Sequence, residues 1–160
     1  WSSDVCSSDL LMTALEADYE AQAREKQITL TFDLPPKLPV MRGDREKIAL
    51  GFHNLIGNAL KYTPEGGTVT VRVDVEDGEF VAQVIDTGIG MTEEDCRRVF
   101  EKFYRSPDRR VTQITGSGLG LAIAREVIRL HGGDITVESE PDQGSTFTLT
   151  VPVAEGVAVA

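Results

Sequence analysis

Two asparagines one helical turn apart are the first residues of this sequence whose types and spacing could do chemistry. Asn54, Asn58 and Lys61 fall within about 60° of one another on a helix that advances 100° per residue. Asparagine is a mediocre helix former, because its side chain competes for backbone hydrogen bonds. Its amide oxygen is a hard, neutral ligand that suits Mg²⁺, and a lysine supplies a point charge for a phosphate. An ordinary solvated helix face would look the same, so this pattern alone leaves both interpretations open.

A carboxylate precedes a glycine turn in the stretch DTGIG, residues 86–90. Asp86 can only accept hydrogen bonds when ionised, so it suits an amino group such as the exocyclic amine of adenine. Gly88 and Gly90 have no Cβ, which allows a sharp turn and lets the backbone lie against a flat ring. An Asx turn between a strand and a helix is the alternative interpretation.

Three glycines at alternate positions, Gly116, Gly118 and Gly120, open a predicted helix in GSGLGLAIA. Free N–H groups and the positive end of a helix dipole would form an anion site there. The spacing is not that of a dinucleotide-binding G-x-G-x-x-G motif, because Leu121 occupies the last required place, and no Gly-Lys pair indicates a P-loop. A flexible linker before a helix is the alternative.

A basic stretch lies between the two glycine segments, in a chain whose formal net charge is −10. A solvated face would follow the global charge, so this stretch predicts a local positive field that faces phosphates. We interpret the interleaved Phe100, Phe103 and Tyr104 as packing anchors rather than as platforms for base stacking. The basic residues are Arg97, Arg98, Lys102, Arg105, Arg109 and Arg110.

Helices and a sheet must position these residues. Apolar residues at helical spacing predict helices over residues 10–26 and 44–62, and a third that ends at Gly132-Gly133. Alternating apolar residues predict strands over residues 28–34, 68–75 and 79–86, and two more in DITVES and STFTLTVP. We therefore predict an α+β fold, a two-layer sandwich whose mixed, mostly antiparallel sheet of about five strands carries its helices on one face.

Length and composition predict one soluble domain, with 160 residues of which 41% are hydrophobic. The acidic balance argues against nucleic acid as a partner, and no apolar run approaches the ~20 residues of a membrane span. Two cysteines, Cys6 and Cys96, are too few for a disulfide scaffold and favour a reducing, cytoplasmic location. We interpret residues 1–9, which repeat Ser-Ser-Asp, as foreign or disordered, residues 10–153 as the domain and residues 154–160 as a frayed tail.

In this order, the motifs resemble those of the catalytic and ATP-binding domain of bacterial sensor histidine kinases. NLIGNALKYTP is similar to the asparagine box of that family, DTGIG to its first glycine box, FEKFYR to its phenylalanine box and GSGLGLAIA to its second glycine box. Each box is modest alone, but four in order are highly specific. The resemblance covers residues 10–152, nearly the whole chain.

The resemblance implies a Bergerat-type (GHKL) sandwich with ATP and Mg²⁺ between the helices and a mobile lid. It implies that Asn58 binds Mg²⁺, that Asn54 lies beside the phosphates and that Asp86, in its glycine box, binds the adenine amine. It implies that Lys61, Tyr62 and Arg105 lie near the phosphates or ribose, and that the lid hinge and phosphate loop consist of Gly116, Gly118, Leu119 and Gly120. The other implied nucleotide-binding residues are Gly88 and Gly90 in the first glycine box and Lys102. Of these, the implied catalytic residues are Asn54, Asn58, Lys61 and Arg105.

The residue at position 54 bears on the reaction. In the related gyrase-type and chaperone ATPases, the glutamate that activates water stands where Asn54 stands, and an amide cannot take that proton. A histidine imidazole already has a lone pair and needs only alignment and charge neutralisation. The resemblance therefore implies a kinase that phosphorylates histidine in a two-component system.

The histidines of this chain, His53 and His131, lack the setting of a phosphoacceptor, which is an upstream helix with a following acidic residue and proline. The implied partners are thus a histidine-bearing dimerisation domain of the same homodimeric kinase and a response regulator, with a membrane only through parts outside this chain. Two alternatives stay open: a protein serine kinase of the anti-sigma-factor type, and a non-enzymatic ATP sensor.

Overall fold

A five-stranded mixed sheet forms the frame of the computed structural model, which describes residues 5–154. A separate pair of short strands, β1 and β3, forms a two-stranded sheet. The elements in chain order are β1 (Val5–Ser7), α1 (Ser8–Glu25), β2 (Thr29–Asp33), β3 (Val40–Arg42), α2 (Arg45–Tyr62), β4 (Thr68–Glu76), β5 (Glu79–Asp86), α3 (Glu93–Arg98), α4 (Arg109–Thr112), α5 (Gly120–Leu130), β6 (Asp134–Glu140) and β7 (Gly144–Pro152).

The order of the large sheet is β2-β4-β5-β7-β6. Strands β2 and β4 run parallel, and the other three pairs are antiparallel. Alternate residues of the strands are buried against α1, α2 and α5 in one hydrophobic cluster, as period-two patterning requires of a sheet covered on one face. The predicted α+β sandwich and its mixed, mostly antiparallel sheet are confirmed.

Helix α2 is specified by chemistry at both ends and by an apolar stripe. Asp44 caps its N-terminus, where Oδ1 accepts a hydrogen bond of 2.9 Å from the N–H of Glu46. At its C-terminus, the carbonyls of Leu60 and Lys61 accept hydrogen bonds of 2.6 and 2.9 Å from Nζ of Lys26. The apolar stripe turns into the core and so leaves the asparagine face outside it. The buried residues of the helix are Ile48, Gly51, Phe52, Leu55, Ile56, Ala59 and Leu60.

Of the two interpretations of residues 1–9, foreign or disordered, disorder does not hold for residues 5–9. Strand β1 pairs antiparallel with β3, and the side chain of Cys6 is buried in the core. Ser7 caps α1, and the hydroxyl of Ser8 donates a hydrogen bond to the carbonyl of Pro39. A three-residue strand is too short to show periodicity, so its order comes from tertiary pairing. Residues 1–4 lie outside the described part of the chain, and the foreign origin of the segment stays a prediction.

The chain end was predicted to fray from residue 154. Ala154 is instead buried, and its N–H donates a hydrogen bond of 2.9 Å to the carbonyl of Val40 in β3. Residues 155–160 lie outside the described residues, so the rest of that prediction is not tested. Within residues 5–154, no helix has both the length and the hydropathy needed to cross a membrane.

We expect Gly90→Ala to destabilise the protein more than Gly78→Ala. Both glycines have a positive φ, +67° and +78°, which costs an alanine about 1–2 kcal/mol. A Cβ at Gly90 would also overlap the carbonyl oxygen of Glu140 beside the β6–β7 turn, and such overpacking adds about 1–3 kcal/mol. Apart from Gly78 and its two neighbours in the chain, no described residue has an atom within 4 Å of a Cβ at Gly78. Urea unfolding of both variants measures the difference, and equal losses would contradict this account.

Candidate functional site

One cleft with a volume of about 370 Å³ brings together most of the residues singled out by the sequence. It lies among helix α2, the loop after β5, the segment of residues 99–118 and the start of α5. Ten of the thirteen predicted site residues line it, and Gly88, Lys102 and Leu119 do not. The ten are Asn54, Asn58, Lys61, Tyr62, Asp86, Gly90, Arg105, Gly116, Gly118 and Gly120.

The polar face of α2 points into this cleft, and its two asparagines have different surroundings. Asn54 donates a hydrogen bond of 2.9 Å from Nδ2 to the carbonyl of Leu50, one turn earlier in its own helix. The side chain of Asn58 has no hydrogen bond to any other residue in the described part of the chain. A half-buried amide without a partner is able to accept a ligand, so Asn58 is the better candidate for a metal.

Asp86 closes strand β5 and is held in place by two backbone amides. Its Oδ1 accepts hydrogen bonds from the N–H of Gly88 at 2.8 Å and of Ser145 at 3.2 Å. No residue within 5–154 donates to Oδ2, which leaves that oxygen as an acceptor for a ligand. Burial raises the pKa of Asp86 above its usual value, and the two amide hydrogen bonds oppose that rise.

The two glycines of the first glycine turn have structural roles that the sequence did not reveal. A Cβ at Gly88 would lie 2.6 Å from the carbonyl oxygen of Tyr62 and 2.9 Å from Oδ1 of Asp86. Gly88 therefore does not line the cleft. It lies between the Asp86 carboxylate and the end of α2, and the absence of a Cβ allows the two to approach each other. Gly90 does line the cleft, but its conformation is also required by the close approach of the β6–β7 turn.

The second glycine segment connects the loop of residues 99–118 to α5. Gly118 has a φ of +77°, and its carbonyl accepts a hydrogen bond of 2.9 Å from the N–H of Phe103. At Gly120 a Cβ would overlap Oδ1 of Asn54, so this glycine lets α5 meet the asparagine face. Helix α5 begins after Leu119 without a side-chain cap, which leaves its first N–H groups for an anion.

The prediction of one positive field from six basic residues is wrong, because nearby carboxylates neutralise three of them. Arg97 pairs with Glu93, and Arg98 pairs with Glu101. Arg110 pairs with two carboxylates, those of Asp108 and Asp142. These acidic partners lie close in sequence or across a turn. The prediction counted only the basic residues, so it did not include them.

Arg105 is the member of the basic stretch that lines the cleft. Its Nη2 donates a hydrogen bond of 2.7 Å to the carbonyl of Val111 and another to that of Ile114. Lys61 makes a similar contact from α2, with Nζ 3.3 Å from the carbonyl of Thr115. Both cations therefore bind backbone oxygens of residues 111–115, while Lys102 is exposed to solvent away from the cleft.

The aromatic residues of the phenylalanine box separate into three environments. Phe100 packs edge-on against Phe147, with ring centroids 6.3 Å apart, so the prediction of a packing anchor agrees with the structure there. Phe103 is 71% exposed, so the prediction of a packing anchor is wrong for its side chain. Tyr104 lines the cleft and donates a hydrogen bond to Asp95, which raises the pKa of its hydroxyl to about 12.

Both histidines take part in contacts between structural elements. Nδ1 of His53 lies 2.7 Å from the hydroxyl of Tyr19 on α1. His131 sits after α5, where Nδ1 contacts the carbonyl of Val127 at 2.8 Å and Nε2 accepts a hydrogen bond of 3.2 Å from the N–H of Asp44. Neither ring lines the cleft.

Sequence reasoning missed several residues of the cleft. Ser145 carries one of the amides that hold Asp86, and the register of β5 with β7 places the two opposite each other. Asp95 is another lining residue, and it lies in a run of acidic residues that carries no distinguishing pattern in the sequence. The apolar residues that complete the lining are Ala59, Ile89, Met91, Val99, Val111, Leu121 and Phe147.

Comparison with known proteins places this cleft in a family. Residues 43–155 match the family model described as histidine kinase-, DNA gyrase B-, and HSP90-like ATPases. The sensor histidine kinase WalK of Bacillus subtilis (strain 168) is 40% identical over 144 residues, which cover 89% of this chain and 24% of that protein. The chain thus spans about a quarter of the length of this relative.

Two solved proteins share the architecture. Full-length ShkA in complex with AMPPNP is 31% identical, with a TM-score of 0.80 over 92% of this chain and 30% of that chain. The nucleotide-free catalytic domain of the histidine kinase ThkA is 24% identical, with a TM-score of 0.81 over 94% of this chain and 97% of that chain. ThkA has also been solved in complex with the response regulator protein TrrA, with a TM-score of 0.78 at 23% identity over 94% of this chain and 42% of that one.

Proposed function

Because the chain belongs to the family of histidine kinase-, DNA gyrase B-, and HSP90-like ATPases, we propose that its cleft binds Mg·ATP and donates the γ-phosphoryl group to a histidine of a partner domain. One observation carries this proposal. A single cleft combines an anchored carboxylate with a free oxygen at Asp86, an unpartnered amide at Asn58 and two cations, Lys61 and Arg105.

Each group has a chemical role in this proposal. Oδ2 of Asp86 accepts a hydrogen bond from the adenine amine, which selects adenine because guanine presents an oxygen at that position. The amide oxygen of Asn58 holds Mg²⁺, with Asn54 beside it at the phosphates. The bound ion supplies charge neutralisation for the phosphate oxygens. Lys61 and Arg105 exchange their backbone carbonyl partners for phosphate oxygens, which carry more negative charge.

Six more of the predicted residues have a place in this proposal. Tyr62 follows Lys61 at the end of α2 and contributes to the ribose side of the cleft. Gly90 forms part of the wall beside the adenine. The glycine segment forms the phosphate loop at the uncapped start of α5, and its residues are Gly116, Gly118 and Gly120, with Leu119 between the last two.

Transfer to histidine suits this cleft better than hydrolysis does. Hydrolysis needs a general base beside the attacking water. Asn54 is an amide, and its Nδ2 is already bound to the carbonyl of Leu50. Two carboxylates line the cleft. In this proposal the free oxygen of Asp86 binds the adenine amine, away from the phosphates, and both oxygens of Asp95 accept hydrogen bonds from hydroxyls. An imidazole acceptor needs no such base, so alignment and charge neutralisation are enough.

The partners in this proposal are a histidine-bearing dimerisation domain of the same homodimeric kinase and a response regulator that receives the phosphoryl group. The match to WalK over a quarter of its length, and the ThkA complex with TrrA, support them. We place the domain in the cytoplasm, where ATP is available. Any membrane attachment belongs to other parts of the full-length protein.

We expect labelled phosphate to reach a separately purified histidine-bearing dimerisation domain when this chain and γ-labelled ATP are added. The label should be acid-labile, as phosphohistidine is. This chain alone should take up no label, because neither histidine lines the cleft. Both nitrogens of His131 are also engaged, and Nδ1 of His53 is bound to Tyr19. Acid-stable label would instead indicate a serine kinase, and normal ATP binding with no label on any partner would indicate an ATP sensor.

A further inference from the structure

Asp95 on α3 is a buried carboxylate that no basic side chain neutralises within residues 5–154. It is 6% exposed, and it makes no ion pair with any described residue. Its partners are two hydroxyls. Tyr104 donates to Oδ1, and Ser106 donates to Oδ2 at 2.8 Å. A buried carboxylate without a cation is costly unless its hydrogen bonds are satisfied, so this pair of contacts holds the loop firmly to α3.

The two hydroxyls lie on either side of Arg105 in the sequence. Pinning residues 104 and 106 to one carboxylate fixes the backbone of the residue between them. The guanidinium of Arg105 then extends to the carbonyls of Val111 and Ile114, and its Cζ lies 3.5 Å from the point where a Cβ of Gly116 would stand. The direction of this cation therefore depends on the clamp formed by Asp95, Tyr104 and Ser106, which we call the Asp95 clamp.

The clamp is attached to the rigid part of the fold. Thr92 caps α3 by accepting a hydrogen bond of 3.1 Å from the N–H of Asp95. Just before it, the N–H of Met91 donates a hydrogen bond of 2.8 Å to the hydroxyl of Ser139 on β6. The guanidinium of Arg98 lies 4.3 Å from the ring centroid of Tyr104 and restricts the ring from outside.

The donor end of the clamp is insensitive to physiological pH. The hydrogen bond to Asp95 raises the pKa of Tyr104 to about 12, so the phenol keeps its proton throughout the working range.

We propose that Asp95 is a positioning residue that directs Arg105 toward the phosphates by clamping the hydroxyls of Tyr104 and Ser106. This inference rests on the proposed function, since it assumes that Arg105 contacts a bound nucleotide. Asp95 touches neither nucleotide nor acceptor in this role. It acts through the loop, so its geometry matters and its charge does not.

The distinction between geometry and charge yields a direct test with two substitutions. Asp95→Ala deletes both acceptors, and we expect the rate of phosphotransfer to the dimerisation domain to fall roughly 10- to 100-fold. Asp95→Asn should restore most of that loss, because its oxygen accepts from Tyr104 and its NH₂ can donate to the hydroxyl of Ser106. A general base would show the opposite, with Asp95→Asn as impaired as Asp95→Ala.

A double-mutant cycle with Arg105→Ala tests whether Asp95 acts through that residue. We expect Asp95→Ala to have little further effect in the Arg105→Ala background. The double variant Tyr104→Phe, Ser106→Ala keeps the Asp95 carboxylate but removes both of its hydroxyl donors, and it should reproduce the loss seen in Asp95→Ala. An equal loss from Asp95→Ala with and without Arg105 would overturn the inference.

Two controls distinguish a misplaced Arg105 from a general loss of structure: the affinity for adenosine and a surface substitution. Adenosine lacks phosphates, so its affinity should be unchanged in Asp95→Ala. Glu93→Gln, on the same helix, removes a carboxylate that is 91% exposed and paired with Arg97, and its transfer rate should match that of the unaltered chain. Failure of the unaltered chain to bind Mg·ATP would overturn the proposed function itself. Normal binding and transfer in Asp95→Ala would overturn the clamp alone.

Discussion

Asp86→Asn should bind ATP about 10- to 150-fold more weakly than the unaltered chain, a loss of about 1.5–3 kcal/mol for one charge-assisted hydrogen bond. The amide can still accept the N–H groups of Gly88 and Ser145 through its oxygen, in the place of Oδ1. Its NH₂ group then takes the place of Oδ2 and faces the adenine amine. Both groups are donors, so no hydrogen bond can form between them. Isothermal calorimetry with a non-hydrolysable ATP analogue measures the change.

The same substitution should not lower stability, and the reason lies in the pKa of Asp86. Burial raises that pKa, so the folded protein holds the proton more tightly than the unfolded chain does. The protonated carboxyl of Asp86 therefore stabilises the folded state fully at pH values below the ordinary pKa of the unfolded chain. This stabilisation is lost as the pH rises through the raised pKa of the folded protein. At neutral pH the buried charge costs stability, and the neutral amide removes that cost.

Thermal unfolding of Asp86→Asn at neutral pH should consequently give a Tm equal to or above that of the unaltered chain. ATP affinity of the unaltered chain should fall as the pH drops through the raised pKa, because a protonated carboxyl loses an acceptor. In Asp86→Asn this pH dependence should be absent. Unchanged ATP affinity in the variant would refute the adenine assignment, and a lower Tm would mean that the ionised carboxylate stabilises the fold.

Asn58→Ala should remove most of the Mg²⁺ dependence of ATP binding and leave adenosine binding unchanged. The reason is that Asn58 lines the cleft and presents an amide with no hydrogen-bond partner within residues 5–154. Loss of a metal ligand should cost at least about tenfold in Mg²⁺ affinity, since even groups that merely orient a ligand cost that much. Titration of Mg²⁺ into chain saturated with ATP analogue measures it.

Asn58→Asp provides a matched comparison for this metal site. A carboxylate keeps the oxygen ligand and adds charge, so Mg²⁺ should still bind, while ATP without metal should bind less well because two negative groups meet. Equal changes in adenosine and Mg·ATP affinity, in either variant, would show that Asn58 supports the fold of the cleft and does not hold the ion.

The elements of the fold could be predicted because their signals are local. The strand over residues 79–86 agrees with β5 at both ends, since the turn at Asp77 and Gly78 starts it and the glycine turn ends it. The apolar stripe that predicts helix α2 and the Asp44 cap that begins it both act within a few residues. By contrast, β1 has three residues, and it exists because β3 lies beside it.

The sequence by itself determined which residues carry the candidate chemistry. The spacing of Asn54, Asn58 and Lys61 on one helix and the glycine turn after Asp86 follow from the period of a helix and the stereochemistry of glycine. These are short-range properties that hold before any tertiary contact forms.

Only the tertiary structure decided which charged side chains are available to a ligand and which are paired within the fold. Arg110 is bound to Asp142, 32 residues away, whereas Arg105 extends into the cleft. The sequence does not distinguish Asp95 from its acidic neighbours. In the structure it is buried, and two hydroxyls fix the position of its carboxylate. The physical reason is that the state of a charge depends on its solvation and its neighbours in space, and neither can be read from distance along the chain.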